Sequence, residues 1–81
     1  MRISVRLFAA HREAAGTSGY VTDLADGATV ADAFARVCAD HPAIAATGRA
    51  VAFALNQTHV SGDARLRDGD EVALLPPVAG G

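Results

Sequence analysis

Lysine is absent from this chain of 81 residues, and its seven basic side chains are all arginines. They are spread among nine acidic residues, which leaves a net charge of −2 at pH 7. Nucleic-acid footprints and polybasic membrane anchors need a run of positive charge, so neither a nucleic acid nor a membrane is an expected partner. Without lysine, the chain also offers no side-chain acceptor for isopeptide bonds to itself.

Cysteine is represented only by Cys38, which excludes an intramolecular disulfide and any cysteine pair that holds zinc. Cys38 shares helical spacing with Phe34, so we interpret it as a small buried hydrophobic residue. The three histidines, His11, His41 and His59, are far apart in sequence and have no second ligand nearby. No metal site is predicted.

Long apolar runs are also missing, although 51% of the residues are hydrophobic. Charges at Arg2 and Arg6 interrupt the first apolar residues, so we predict no signal peptide or membrane span and expect a cytoplasmic protein. A single small domain is expected, burying about 60% of the surface that its unfolded form exposes. Such a domain is too small for a deep cleft, so the isolated chain is not expected to be an enzyme.

Apolar alternation, β-branched residues and turn clusters predict five short strands. The first strand has Ile3, Val5 and Leu7 on its buried face and is expected to pair antiparallel with the second. In the third strand, small residues such as Ala54 are expected to face something close. The predicted strands span residues 2–8, 20–24, 50–55, 58–60 and 71–75.

One long helix is predicted from Thr29, an N-cap residue followed by Asp32, to a boundary just before Pro42. Residues 9–15 favour one or two further helical turns, and residues 43–49 are expected to form a loop or a frayed turn. The order ββαβββ predicts an α+β fold in which one main helix covers one face of a mixed sheet of about five strands.

The last six residues differ from the rest of the chain because two prolines cannot donate hydrogen bonds to a sheet. The fifth strand must therefore end at Leu75. At about 3.3 Å per residue, the six residues reach roughly 20 Å. Two final residues without Cβ atoms are able to enter a channel that side chains would block. We expect a domain over residues 1–75 and a protruding tail over residues 76–81 that inserts into another protein.

The carboxylate of Gly81 is an anion at neutral pH and a poor electrophile. Adenylation would convert it into a mixed anhydride that accepts sulfur or acylates an amine. The chain has neither a GxxxxGK[ST] nor a GxGxxG motif, so a separate enzyme must bind the ATP.

Three segments carry a resemblance to a known family: LFAAHREAAG at 7–16, ALNQ at 54–57 and LRDGDEVALLPPVAGG at 66–81. They resemble the small, sulfur-carrying subunit of molybdopterin synthase, the MoaD family, and the resemblance covers the whole chain. The DGDEV…PPV.GG ending is typical of the wider ubiquitin-like sulfur-carrier group. The first segment and the Asn56–Gln57 pair are typical of the molybdopterin branch, whereas the thiamine-pathway carrier ThiS usually has an NG turn there.

The resemblance implies a ubiquitin-like β-grasp fold with a flexible Gly-Gly tail. It implies that a MoeB-type, E1-like enzyme adenylates Gly81, and that a sulfur donor protein supplies the sulfur of a C-terminal thiocarboxylate. In a heterotetramer with a MoaE-type large subunit, this group would give its sulfur to the cyclic pyranopterin precursor and form the dithiolene of molybdopterin. The chain itself would bind no cofactor, and Gly81 would be its reacting group.

A partner-binding surface is expected at the root of the tail. Phe8 and Leu75 both face away from the core by parity, and their strands are neighbours in a β-grasp sheet, so they form an apolar docking patch. His59 lies at the edge of the patch, at a position that is often apolar in the family, and Arg12 is expected to contact an acidic partner group at the rim. The tail completes the predicted partner-binding set with Pro76, Pro77, Val78, Ala79 and Gly80.

Two other functions stay open at this point. The chain is either a related carrier, such as a ThiS-like protein of thiamine biosynthesis or a carrier of cysteine biosynthesis, or a ubiquitin-like protein modifier. In the last case Gly81 forms amides with lysines of other proteins instead of carrying sulfur.

Overall fold

The computed structural model describes residues 1–46 and 52–75. Within these ranges the strands form one sheet in the order β2-β1-β5-β3-β4. The helices are α1 (Ala9–Ala15), α2 (Val30–Asp40) and α3 (Pro42–Ala46). The strands are β1 (Arg2–Leu7), β2 (Gly19–Asp23), β3 (Ala52–Leu55), β4 (Thr58–Val60) and β5 (Glu71–Leu75).

The last strand, β5, lies at the centre of the sheet. It runs parallel to β1 and antiparallel to β3, while β1 and β2 pair antiparallel as the sequence predicts. Parallel pairing of the first and last strands needs a crossover, and α2 lies within that connection. This is the ubiquitin-like β-grasp arrangement, so the predicted α+β fold is confirmed.

The hydrophobic core lies between α2 and one face of the sheet. The buried side chains of β1 and β5 are at most 1% exposed, which confirms the predicted parity of both strands. From α2, Val30, Ala33 and Val37 are fully buried in the same cluster. Burial of this apolar surface is the main favourable term for folding. The buried strand residues are Ile3, Val5, Leu7, Val72 and Leu74.

The start of α2 has the predicted cap. The backbone N–H of Thr29 donates to Asp32 Oδ2 at 2.9 Å, and the backbone N–H of Asp32 donates to Thr29 Oγ1 at 3.3 Å. This reciprocal pair is a capping box, which satisfies two backbone donors that a helix start otherwise leaves unpaired. The helix ends at Asp40, before Pro42. At 11 residues it is the longest described helix, and none of the described helices is long and apolar enough to cross a membrane.

Residues 43–49 were expected to form a loop or a frayed turn, and the first part of this segment is instead the short helix α3, which begins at Pro42 and ends at Ala46. Proline fits the first helical position, where its missing N–H is not needed. Ile44 is fully buried in the core, and this tertiary contact stabilises a helix too short to form alone. Residues 47–51, which include the start of the predicted third strand, lie outside the described residues.

Two strand boundaries also differ slightly from the prediction. The strand β2 begins and ends one residue earlier than expected, at Gly19 and Asp23. Phe8, expected as the last residue of the first strand, is instead the N-cap residue of α1. Phe8 is nevertheless 37% exposed and is not part of the core cluster, so its side chain points away from the core as expected.

Candidate functional site

The face of the sheet opposite α2 carries an open groove of about 270 Å³. Its floor contains Ala54 and Ala73, which are direct neighbours on β3 and β5. Because both side chains end at Cβ, the sheet surface is lower here than at its margins. Ala54 therefore lies on the floor of a groove, and the expected close contact to it stays a prediction. The lining residues are Arg6, Phe8, Ala54, Gln57, His59, Glu71, Ala73 and Leu75.

The local backbone directs Phe8 to this groove. Phe8 has extended geometry, with φ −133° and ψ 156°, and its carbonyl oxygen accepts hydrogen bonds from the backbone N–H groups of His11 and Arg12. The next residue, Ala9, has φ 48°, in the left-handed region, where an L-residue costs about 1–2 kcal/mol. This sharp turn starts α1 and leaves Phe8 37% exposed.

A charged pair crosses one side of the groove. Arg6 Nη1 lies 3.6 Å from Glu71 Oε2, and the Arg6 guanidinium lies 5.8 Å from the centroid of the Phe8 ring. Both charged side chains are partly exposed, so the pair contributes at most about 1 kcal/mol to stability. The groove therefore combines an apolar wall, formed by Phe8 and Leu75, with charged groups that a partner can also contact.

The β3–β4 turn forms another side of the groove. Its two central residues, Asn56 and Gln57, have φ values of 50° and 72°. Two positive φ values in a two-residue hairpin define a type I′ turn, for which Asn-Gly is the preferred sequence. Gln57 therefore occupies a position that glycine adopts at lower energy, by about 1–2 kcal/mol per residue.

Asn56 connects this turn to the start of β5. Its Nδ2 donates to Asp70 Oδ1 at 3.0 Å, and its Oδ1 accepts from the backbone N–H of Glu71 at 2.9 Å. The hydrogen bond from Asn56, followed by one from the backbone N–H of Arg67 at 2.8 Å, lowers the pKa of Asp70 below its usual value. The ionised carboxylate therefore helps to hold the turn beside the groove at neutral pH.

Three residues that the sequence assigns to a docking patch, Phe8, Leu75 and His59, lie around this single groove. His59 is exposed on β4 and is paired with Ala54 on the groove floor. Arg12 is exposed on α1 and does not line the groove. The predicted tail residues 76–81 lie outside the described residues. The roles of all these residues stay predictions.

Sequence reasoning missed Arg6, Gln57, Glu71 and Ala73 as lining residues. Parity contains the signal for three of them, because Arg6 precedes the buried Leu7, and Glu71 and Ala73 lie on either side of the buried Val72. The alternation rule that places apolar residues outside the core also places these charges there. Gln57 has no such signal, since its position depends on turn geometry rather than on strand periodicity.

His11 lies away from the groove-lining set and is the buried residue of α1, with 2% exposure. Its Nδ1 has no hydrogen-bond partner in the described structure. Across residues 1–46 and 52–75, no three histidine, cysteine, aspartate or glutamate side chains come together in a group that could bind a metal. We therefore interpret His11 as a buried residue of α1 and do not include it in the candidate site.

Comparisons with known proteins cover nearly all of the chain. The sequence profile of the ThiS family matches residues 5–81. A molybdopterin synthase sulfur carrier subunit from Chlamydomonas reinhardtii is 43% identical over 83 residues, covering 100% of both chains. The crystal structure of H. volcanii small archaeal modifier protein 1 superposes with a TM-score of 0.89 at 28% identity, covering 95% of this chain and 98% of the other.

A further solved structure contains a similar fold within a complex. It is the protein-protein complex of subunits 1 and 2 of molybdopterin-converting factor from Helicobacter pylori 26695. The similar chain has a TM-score of 0.69 and 24% identity, with 100% coverage of both chains. At this identity the likeness shows the fold alone.

The central position of β5, the helix-covered face of the sheet and these likenesses define a protein of the ubiquitin-like β-grasp class. Within that class, this chain belongs to the ThiS family. Its resemblance to the MoaD family is confirmed by the full-length similarity to the Chlamydomonas protein.

Proposed function

We propose that this chain is the sulfur carrier subunit of molybdopterin synthase. The observation that carries the proposal is the match, over 100% of both chains, to a protein of that function at 43% identity. The position of the groove supports it, because Leu75 lines the groove and directly precedes the tail over residues 76–81. A partner that covers the groove also receives the tail.

The reaction cycle starts at the Gly81 carboxylate on a MoeB-type activating enzyme. A carboxylate oxygen attacks the α-phosphorus of ATP, pyrophosphate leaves, and an acyl-adenylate forms. Hydrosulfide, or its equivalent from a sulfur donor protein, then attacks the carbonyl carbon. AMP leaves with the original carboxylate oxygen, and the chain retains sulfur as a thiocarboxylate. These reaction steps use no side chain of the carrier as an acid or base.

The sulfur-loaded tail then enters a MoaE-type large subunit, in a heterotetramer of two small and two large subunits. Six residues at about 3.3 Å each span roughly 20 Å, which allows Gly81 to react at a depth while the folded domain remains outside. Gly80, without a Cβ, gives clearance beside the reacting carbon. The thiocarboxylate gives its sulfur to the cyclic pyranopterin precursor, and the large subunit supplies the catalytic side chains.

The groove is the docking surface for that large subunit. Phe8 and Leu75 offer adjoining apolar area at the root of the tail, and aromatic anchors of this kind contribute much of the binding energy at protein interfaces. His59 borders this area, while Arg12 on α1 contacts an acidic group at the rim. The full-length match to a protein named as one subunit of molybdopterin synthase supports a partner subunit of this kind.

The test is the intact mass of the protein after incubation with a MoeB-type enzyme, ATP and a sulfur source. We expect an oxygen-for-sulfur exchange in the full chain and none in a variant lacking Gly81. The deletion variant should keep its cooperative unfolding transition, because residue 81 follows the last strand. A full chain whose mass stays that of the free acid would refute the carrier proposal.

A second candidate function is protein modification, which the similarity to H. volcanii small archaeal modifier protein 1 favours. In that case the activated Gly81 acylates lysines of other proteins, and adducts that survive denaturing electrophoresis accumulate in cell extract. A carrier for thiamine or cysteine biosynthesis would load sulfur but would not form molybdopterin with a MoaE-type subunit and the pyranopterin precursor. The two readouts together separate the three functions.

A further inference from the structure

Gln57 is a glutamine at a turn position whose backbone conformation glycine would adopt with less strain. Its φ of 72° lies in the left-handed region, at the turn position where glycine is favoured. The side chain is exposed and makes no hydrogen bond with any other described residue. No side-chain hydrogen bond to a described residue therefore offsets the energetic cost of placing glutamine here.

Its neighbour Asn56 presents the opposite case. Asn56 also has a positive φ, of 50°, but its side chain makes two hydrogen bonds to the start of β5. Its backbone N–H adds a third, to Glu71 O at 2.8 Å. The turn is thus held in place by Asn56, and Gln57 is dispensable for that purpose.

Gln57 lies where its carboxamide is available to a protein that covers the groove. Gln57 lines the groove with His59, and Phe8 and Leu75 lie around the same space. A carboxamide both donates and accepts hydrogen bonds, and it carries no charge that would repel either sign. A protein that covers the groove removes water from this amide and must supply replacement partners.

We propose that Gln57 is a specificity residue of the docking surface, whose carboxamide hydrogen-bonds main-chain or other uncharged polar groups of the large subunit. The inference rests on the proposed function and adds to it the residue that selects the partner. A protein that fits the apolar groove but lacks matching polar groups would leave the amide buried and unpaired, which is strongly unfavourable. Selection thus comes from rejecting such proteins as well as from binding the correct one.

Two substitutions separate the side chain from the backbone strain. Gln57→Gly removes both, whereas Gln57→Ala removes the carboxamide and keeps the residue type that disfavours positive φ. We expect both variants to bind a MoaE-type subunit about fivefold to tenfold more weakly in calorimetric titration, as for loss of one or two hydrogen bonds. The urea midpoint should rise for Gln57→Gly and change little for Gln57→Ala.

The matched control is Thr58→Ala. Thr58 is the next residue along the chain, is exposed and does not line the groove. The affinity of the Thr58→Ala variant for the MoaE-type subunit should therefore stay within about twofold of that of the unsubstituted chain. Equal binding by both Gln57 variants and the unsubstituted chain would overturn the inference. Weaker binding by Gln57→Gly alone would also overturn it, because the loss would then come from a more flexible turn.

These results are distinguishable from a failure of the proposed function. If the unsubstituted chain does not bind the MoaE-type subunit, the proposed function fails and this inference fails with it. If the unsubstituted chain binds and the Gln57 variants bind equally well, only the role of Gln57 is refuted.

Discussion

The two faces of the sheet are built from the same strands but have different contents. On β5, Val72 and Leu74 are fully buried beneath α2, whereas Ala73 and Leu75 lie on the open face and line the groove. The covered face is filled with branched aliphatic side chains. The open face has alanines at its centre and larger side chains around them.

Under the proposed function, this difference separates the residues that stabilise the domain from those that bind a partner. On the covered face, each large side chain fills space between the sheet and α2, so its loss leaves a cavity. On the open face, Ala54 and Ala73 leave space that the fold does not fill, and a partner can occupy it. Alternation along one strand therefore assigns adjacent residues to different tasks, and substitutions at neighbouring positions should have separable effects.

The largest effect is expected from a pair of neighbouring substitutions, Leu74→Ala and Leu75→Ala. Leu74 is fully buried, so its truncation should lower the free energy of unfolding by about 2–5 kcal/mol, a large part of the stability of a small domain. Leu75 is partly exposed on the groove side, and its truncation should lower the free energy of unfolding by roughly 1 kcal/mol or less. Urea denaturation followed by circular dichroism measures both.

For binding affinity, we expect the substitution of Leu75 to have the larger effect of the two. At a temperature where both variants are folded, Leu75→Ala should bind a MoaE-type subunit more weakly than Leu74→Ala does. Similar losses of stability in the two variants would contradict the division between the faces.

The next effect concerns Phe8, the aromatic residue of the groove. Phe8→Asp should weaken binding to the MoaE-type subunit by tenfold or more, about 1.4 kcal/mol, because a charge replaces an apolar anchor. The free energy of unfolding should change by about 1 kcal/mol or less, since the ring is not part of the core cluster. Calorimetric titration and urea denaturation give the two values.

Val21→Asp is the control for this substitution. Val21 is 55% exposed and paired with Ser4, so it lies on the same open face but outside the groove. The affinity of this variant should stay close to that of the unsubstituted chain. If Val21→Asp weakens binding as much as Phe8→Asp does, the docking surface extends over the whole open face and is not centred on the groove.

The sequence was sufficient to predict much of the fold and part of the groove because both depend on alternation. The pattern around Ile3, Val5 and Leu7 determines which side of β1 is buried, and Phe8 then falls outside the core. The helix α3 was missed because its stability depends on burial of Ile44, a tertiary contact that leaves no local pattern. Gln57 was not predicted as a lining residue because turn geometry, rather than periodicity, places it there.

A smaller effect is expected at the contact that holds the turn to the sheet. Asp70 accepts hydrogen bonds from Asn56 and from the backbone N–H of Arg67, and these lower its pKa from the usual 3.8. A depressed pKa in the folded state means that the carboxylate stabilises the fold fully above the unfolded value. That contribution is lost as the pH falls through the folded value.

Asp70→Asn should therefore lower the free energy of unfolding at neutral pH by about 1 kcal/mol, near the low end for charged hydrogen bonds because solvent reaches the carboxylate. The deficit relative to the unsubstituted chain should shrink as the pH falls below 3.8, where the carboxyl group of the unsubstituted chain becomes protonated as well. Urea denaturation at a series of pH values measures this difference in the free energy of unfolding. Glu13→Gln is the control, since the Glu13 side chain is exposed on α1 and makes no hydrogen bond or ion pair with any other described residue. A deficit for Asp70→Asn that does not vary with pH would show that the loss arises from packing, and that the ionised carboxylate does not hold the Asn56 turn beside the groove.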